Sequence, residues 1–287
     1  MNHQILGTIQ KAKVLKKIVE GFVVTVQDSE VTLPDEYASD DIELDQDVEV
    51  FLYENKKGQA VATMNLPEAT KDAYGWAEVV EVLPHMGVFV NIGLEDKDIL
   101  VSSDNLPLLK SVWPKEGDNL FVSLEADKKG RLLAEPISEY EVIEDLEKAP
   151  DSLLHTVIAA RVYRSTKAGS AILTEEGYRG FIHPHERKDE PRLGETVEGR
   201  VIDVKEDGTI NVSLRPLKQE SMKEDADVIF DYLIENDGVM ELHDKSDPQE
   251  IRERFHISKA AFKRALGQLM KDGKIEQKEG RTTIKHD

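Results

Sequence analysis

One pattern repeats three times within the first 215 residues, and a repeat of that length decides the architecture before any motif is considered. Each copy runs as an alternating apolar strand, a Gly followed by an apolar strand, a third strand, a strand opened by a turn, and a hairpin around a Gly. The second strand opens at Gly21-Phe22-Val23-Val24, at Gly87-Val88-Phe89-Val90 and at Gly169-Ser170-Ala171-Ile172, the last being the weakest copy. The fourth opens at Asp45-Gln46-Asp47, Gly117-Asp118-Asn119 and Gly194-Glu195-Thr196, and the closing hairpins turn at Gly58, Gly130 and Gly208. Openings lie 72 and 77 residues apart and turns 72 and 78, so two independent landmarks share one period. Val48, Val50, Leu52 and Leu120, Val122, Leu124 recur at every second residue, the period of a strand with one buried face.

Five short strands per ~70 residues, with a long excursion between the third and fourth, is what a five-stranded Greek-key barrel of the OB type needs. From Met222 the period becomes helical. Ala226, Ile229, Phe230, Leu233 and Ile234 form an apolar stripe that Asn236-Asp237-Gly238 ends. Asp247-Pro248-Gln249-Glu250 opens a short second helix through Ile251 and Phe255. Ser258 caps a third, with Ala261, Phe262, Ala265, Leu266 and Leu269 inward, Lys259, Lys263, Arg264 and Lys271 outward, and Gly273 as its stop. The segments 274–278 and 281–285 alternate around Glu279-Gly280 as a terminal β-hairpin. Three helices and a hairpin resemble a winged-helix domain.

The expected fold class is therefore multidomain and mainly β: three tandem OB-fold, S1-like five-stranded barrels over 1–66, 70–138 and 153–216, then an α+β winged-helix domain over 222–287. Residues 65–73 read as a short polar linker. A capped connecting helix is expected over 139–152, between Pro136 and Pro150, from Ser138-Glu139-Tyr140-Glu141 and the acidic, apolar-spaced run that follows.

Composition narrows the chemistry. The chain has no cysteine, which excludes disulfide scaffolds, thiolate zinc sites, iron-sulfur clusters and cysteine nucleophiles. It lacks an apolar run of the ~18 residues a membrane helix requires, and its N-terminus lacks the apolar core of a secretory signal, so no membrane partner and a cytosolic location are expected. The net charge of −20 argues at first against a polyanion. Its distribution reverses that: segments 1–69 and 70–150 carry −7 and −9, 151–218 is neutral, and 251–285 carries +6. Of twelve arginines only Arg131 precedes Arg161, and arginine's planar fork suits phosphate and base stacking better than a lysine point charge. A polyanion would meet the C-terminal half, while acidic faces elsewhere keep the protein in solution.

The run Gly87-Val88-Phe89-Val90, the segment Arg179-Gly180-Phe181-Ile182-His183 and the Gly-Glu/Asp openings resemble the S1 RNA-binding OB-fold family. That resemblance implies a nucleic-acid face built from two aromatics around the strand-two Gly, a His ending strand three, and an Asp and Arg flanking the last hairpin. Unit two matches with Phe89, Asp127 and Arg131, while Met86 and Val101 stand at the other two positions. Unit three matches with His183 alone and has Ala168, Ala171, Lys205 and Thr209 elsewhere. Unit one, with Glu20, Val23, Leu33, Asn55 and Gln59, matches nowhere. Unit three thus lacks an aromatic platform and is expected to rely on Arg161, Arg164, Lys167 and Arg179, with Tyr163, Tyr178 and His183 available for stacking. In a winged helix the third helix and the wing contact nucleic acid, which nominates Lys259, Lys263, Arg264, Lys278 and Arg281. His183-Pro184-His185-Glu186 offers two imidazoles and no third ligand, so neither metal nor other cofactor is expected.

Three S1-like barrels followed by a winged helix resemble, as a combination, the bacterial conserved virulence factor B family. The resemblance implies a non-enzymatic, cytosolic RNA-binding protein acting on gene expression after transcription, including virulence genes in pathogens. The expected partner is single-stranded RNA lying across unit three and the winged helix, with a possible protein partner on the acidic units one and two. Three readings stand beside it: a DNA-binding regulator using the winged helix in a major groove, a ribonuclease whose metal-dependent site would need converging carboxylates, and an acidic protein–protein adaptor. No phosphate loop, nucleophile elbow or His-Glu zinc helix points to catalysis.

Overall fold

The computed structural model describes residues 5–127, 131–137, 146–216, 218–278 and 280–285. The chain divides into two compact units after Leu214. The first contains three closed five-stranded barrels. Barrel one is built from β1 (Ile9–Ile18), β2 (Gly21–Val26), β3 (Ser29–Pro34), β4 (Asp47–Glu54) and β5 (Ala60–Thr63). Barrel two has β6 (Gly75–Leu83), β7 (Gly87–Asn91), β8 (Ile99–Ser102), β9 (Asn119–Ala126) and β10 (Leu132–Pro136). Barrel three has β11 (Val157–Thr166), β12 (Gly169–Leu173), β13 (Arg179–Ile182), β14 (Thr196–Val204) and β15 (Ile210–Ser213). In all three the third strand pairs in parallel with the fifth, which closes the same ring each time.

The repeated Gly has a steric cause. Gly21, Gly87 and Gly169 hold φ of 140°, 136° and 145°, and a Cβ there would come within 2.0–2.4 Å of the carbonyl oxygen of Leu33, Val101 or Ile182 on the paired strand. Only a residue without Cβ lets the first hairpin of the barrel close so tightly. The weakness of the third copy also has a reason. Where barrels one and two bury Phe22 and Val88, barrel three buries Ser170, whose hydroxyl accepts from the Arg187 guanidinium at 2.6 Å. That guanidinium is itself buried and paired with Glu190 at 3.2 Å, so polar groups replace apolar ones there without being left unbonded.

The barrels are bolted together. Phe51, Tyr53 and Val61 of barrel one share a core with Ile92, Leu94 and Ile99 of barrel two. The Tyr53 hydroxyl donates to Asp96 at 2.7 Å, and burial next to that carboxylate pushes its pKa far up. Between barrels two and three, Arg192 forks onto Asp118 with contacts of 3.0 and 2.9 Å and pairs with Glu195 at 3.2 Å. Tyr74, Trp76 and Phe121 of barrel two pack there against Tyr163, Ala171 and Leu173 of barrel three. The 65–73 segment is ordered between the first two barrels, with Ala69 and Thr70 buried.

The expected connecting helix over 139–152 falls partly on 138–145, outside the described residues. Its remainder is not helical. Residues 146–150 form no helix; Glu147 bridges to Tyr178, and the extended Pro150 leads into one 3-10 turn at Asp151–Leu153. The Ala149 N–H donates to the Gly208 carbonyl at 3.1 Å and its side chain enters the barrel-three core, so this stretch gives its backbone to the barrel instead of to a helix.

The second unit comprises α1 (Lys218–Glu235), β16 (Val239–Met240), α2 (Pro248–Phe255), α3 (Lys259–Lys271), β17 (Ile275–Lys278) and β18 (Arg281–Ile284). The strands form one sheet in the order β16-β18-β17. Two residues are too few to alternate, which is why β16 escapes a periodicity reading. Helix α1 starts four residues before Met222, and Ile234 is exposed because the buried row runs through Ala226, Ile229 and Leu233. Asp247 accepts from the Gln249 N–H at 2.7 Å, and Ser258 from the Ala261 N–H at 3.2 Å, the two caps that start α2 and α3.

Candidate nucleic-acid interface

The outward face of each barrel is set by register. Across strands two, three and five, the outward row reads Val23, Thr32 and Val61 in barrel one, Phe89, Leu100 and Leu133 in barrel two, and Ala171, Phe181 and Asn211 in barrel three. Phe89 is half-buried on this outer face, while Val88 and Val90 fill the core. In barrel three the outward aromatic is not at the Ala171 position, and it is half-buried, packed against the Tyr163, Ala171 and Leu173 cluster at the junction with barrel two. Its ring stands one strand over, at Phe181.

Reading along strand three sharpens the contrast. The outward positions are Glu30, Thr32 and Pro34 in barrel one, Asp98, Leu100 and Ser102 in barrel two, and Arg179, Phe181 and His183 in barrel three. Pro34 and Ser102 pair with Gly21 and Gly87, as His183 follows from its register opposite Gly169. The residues equated with this His from sequence, Leu33 and Val101, are fully buried in their cores instead. A one-residue slip in a strand exchanges its faces, so that assignment was inverted.

In barrel three, Arg179 and Phe181 are half-buried and His183 is exposed. The two rings meet edge to face with centroids 4.8 Å apart, and Phe181 lies against the backbone of Gly169. Beside Phe181, the Asn211 amide donates to Asp203 at 3.2 Å. On the adjoining hairpin Asp207 accepts from the Thr209 hydroxyl and N–H at 2.7 and 2.9 Å. Those bonds, with smaller help from Lys205 and Arg179, hold its carboxyl below the usual range. Sequence reasoning named Arg179 and His183 and missed Phe181 and Asn211. The two-residue period of a strand, applied from Arg179 to His183, leads directly to Phe181.

Other nominated residues are placed differently. Arg161 lies over the Trp76 ring, 5.2 Å from its centroid, and is half-buried at the junction with barrel two. Tyr163 is buried there, and burial pushes its hydroxyl pKa up against the pull of Arg164 and Arg179. Arg164 is half-buried, and Lys167 is exposed in the turn between β11 and β12. In barrel two, the Arg131 guanidinium and N–H both bind the Asp127 carboxylate, at 2.7–2.9 Å, so the cation is neutralised locally. In barrel one the matching groove, of about 630 Å³, is lined by Glu20, Asp35 and Glu36 against one cation, Lys57, so its net charge is negative.

Lys259, expected on the outer face of α3, donates its ammonium to the carbonyls of Lys245 and Ser246 at 3.1 and 2.7 Å and ties the turn before α2. Lys263 is half exposed, 4.0 Å from Asp244, and Arg264 is exposed with no ion pair among the described residues. Lys278 pairs with Glu276 at 3.1 Å and Arg281 with Glu241 at 3.1 Å. Such exposed pairs contribute at most ~1 kcal/mol and yield readily to a competing phosphate. Among the described residues no group of three or more His, Asp or Glu is arranged to hold a metal ion, and no helix is long and apolar enough to cross a membrane.

This fold and these faces define a tandem S1-type OB-fold protein that ends in a winged helix. Family models match in the same order: an S1 domain over residues 6–65, the first S1-like domain of CvfB over 74–135, the second domain of the virulence regulatory factor CvfB over 144–216, and a CvfB-like winged helix over 227–284. The chain belongs to the conserved virulence factor B family. It is 40% identical over 287 residues to conserved virulence factor B of Staphylococcus epidermidis, covering 98% of this chain and 92% of that protein. It is 46% identical over 262 residues to YitL of Bacillus subtilis, covering 91% and 88%. A solved structure of a multidomain protein with nucleic acid binding domains from Streptococcus pneumoniae superposes with a TM-score of 0.67 at 37% identity, covering 98% of this chain and 99% of that one. None of the matched family descriptions names an enzyme.

Proposed function

We propose that this protein binds single-stranded RNA on the outer face of barrel three and on cations of the winged helix, without catalysis, and so regulates gene expression after transcription in the cytosol, virulence genes included in pathogens. The observation that carries this reading is the Arg179, Phe181, His183 stripe, whose counterparts in barrels one and two begin with Glu30 and Asp98. A base stacks on Phe181 or His183, at about 1–3 kcal/mol per base, while the guanidinium takes a neighbouring phosphate. Lys167 adds charge at the barrel. Lys263, Arg264, Lys278 and Arg281 add theirs on the winged helix. The acidic first two barrels serve as the surface for a protein partner. The family matches and the S. pneumoniae relative support a nucleic-acid partner for the chain as a whole.

The test is a titration of a labelled single-stranded oligoribonucleotide with the full chain at several salt concentrations. Neutralising about five phosphates gives a log-log slope near −0.7 × 5, about −3.5. A slope near zero removes the reading. Tighter binding of duplex DNA at equal salt transfers it to the winged helix as a DNA reader, and RNA fragments appearing with Mg²⁺ or Mn²⁺ replace binding with catalysis.

A further inference from the structure

One row of side chains crosses the outer face of barrel three, from Ala171 through Phe181 and Asn211 to Asp203, each paired in register with the next. Directly opposed residues on neighbouring strands share a face, so the row is one surface. We propose that its Asp203 end selects guanine in the single-stranded RNA assigned to this face, a selection that rests on the RNA-binding reading and adds the base to it. The other barrels lack the parts. In barrel one the row ends on Tyr53, which is buried and bonded to Asp96. In barrel two it ends on Glu125, whose neighbour on strand five is Leu133, with no amide beside the carboxylate.

The groups at this end are open to a ligand. Asp203 is exposed, and the register of β14 with β11 ends at Arg200, so no β11 residue pairs with it. Among the described residues its side chain makes one hydrogen bond, accepted on Oδ2 from the Asn211 amide at 3.2 Å. A carboxylate has about four acceptor positions, so Oδ1 and part of Oδ2 are left free, as is the second amide proton of Asn211. The Asn211 Oδ1 is buried, which turns the amide nitrogen toward Asp203 and the outer surface. Along β13 the Arg179 guanidinium and the His183 ring make no hydrogen bond or ion pair among the described residues, so a phosphate can be held beside the same ring.

The order of these groups says which base fits. Unpaired bases are read on their Watson–Crick edges, and guanine presents there one acceptor, O6, followed by two donors, N1–H and the 2-amino group. The row presents the complement, a donor from Asn211 followed by the two oxygens of Asp203. Two adjacent donors fork onto a carboxylate in charge-assisted bonds. No other RNA base has that pair: adenine and cytosine would turn a ring-nitrogen lone pair toward the carboxylate, and uracil a carbonyl. Asp203 stands two strand spacings from Phe181, about 10 Å. Because Phe181 packs on its Ala171 side against the junction with barrel two, a base lying on it extends the other way, over Asn211 toward Asp203. Offset stacking of that kind is the arrangement rings prefer.

The full chain is titrated by fluorescence anisotropy with labelled oligouridine strands whose central position carries guanosine, inosine, adenosine or uridine. Inosine keeps O6 and N1–H and lacks only the 2-amino group. The guanosine strand is expected to bind about tenfold more tightly than the inosine strand, which is what one hydrogen bond to a charged acceptor contributes, and more tightly again than the adenosine and all-uridine strands. Asp203→Asn removes the fork and should bring guanosine down to inosine without weakening the all-uridine strand or lowering the melting temperature, since Asp203 is exposed. Equal affinity for the guanosine and inosine strands, with both falling as salt rises, overturns guanine selection and leaves RNA binding standing. A guanosine preference that survives Asp203→Asn also overturns it, because the base is then read elsewhere. Absence of binding to all four strands overturns the RNA-binding reading and guanine selection together.

Discussion

Ala171 and Phe181 face each other across β12 and β13, where the equivalent pair in barrel two is Phe89 and Leu100. The aromatic has moved one strand across the ladder while staying on the same face. Phe181→Ala is therefore expected to weaken single-stranded RNA binding by about 1–3 kcal/mol, roughly five- to 150-fold, in a fluorescence anisotropy titration. Phe89→Ala, in a barrel whose arginine is neutralised by Asp127, should change affinity less than twofold. Equal losses would move the platform to barrel two.

Lys263→Glu with Arg264→Glu should reduce RNA affinity well over tenfold. Lys16→Glu with Lys17→Glu should leave it nearly unchanged, because Lys16 already pairs with Glu30 and Lys17 lies over the Phe22 ring on an acidic barrel. Filter binding at one salt concentration compares the two directly, and similar effects would contradict a polarity between the halves of the chain.

Gly267 lies in the exposed interior of α3, and a Cβ there would meet nothing within 4 Å. Gly267→Ala should stabilise the helix by up to about 1 kcal/mol, seen as a higher melting temperature. The added methyl sits one turn from Lys263 and Arg264, so RNA affinity should fall several-fold as stability rises. A parallel rise in both would place the bound strand on another face of the helix.

Arg192→Ala removes both bonds to Asp118 and leaves a carboxylate with only 10% of its side chain exposed. The Lys115 N–H still donates to it at 2.7 Å, so the expected cost is about 2 kcal/mol, below the 3–5 kcal/mol of a fully buried pair. Urea denaturation followed by Trp fluorescence reads the loss, since Trp76 reports on that junction.

The barrels were legible in sequence because their constraint is a backbone one: a Gly that a paired carbonyl excludes from bearing a side chain must recur wherever that hairpin recurs. The winged helix was legible from caps and a helical stripe. The binding face was harder, and for two reasons. A slip of one residue put Val101 and Leu33 where Ser102 and Pro34 stand, because aligned landmarks do not resolve strand phase. Counting cations also overstated the free charge. Arg161 is spent on Trp76, Arg187 on Ser170, Arg192 on Asp118 and Lys259 on two carbonyls, uses that depend on residues distant in sequence or on turn geometry.

Because barrel three docks on its neighbour through Tyr163, Ala171 and Leu173, with Phe181 packed against the same cluster, the Ala171 end of its outward row is closed to any strand laid across it. On the proposed reading, a second foothold on the same strand is what would raise avidity.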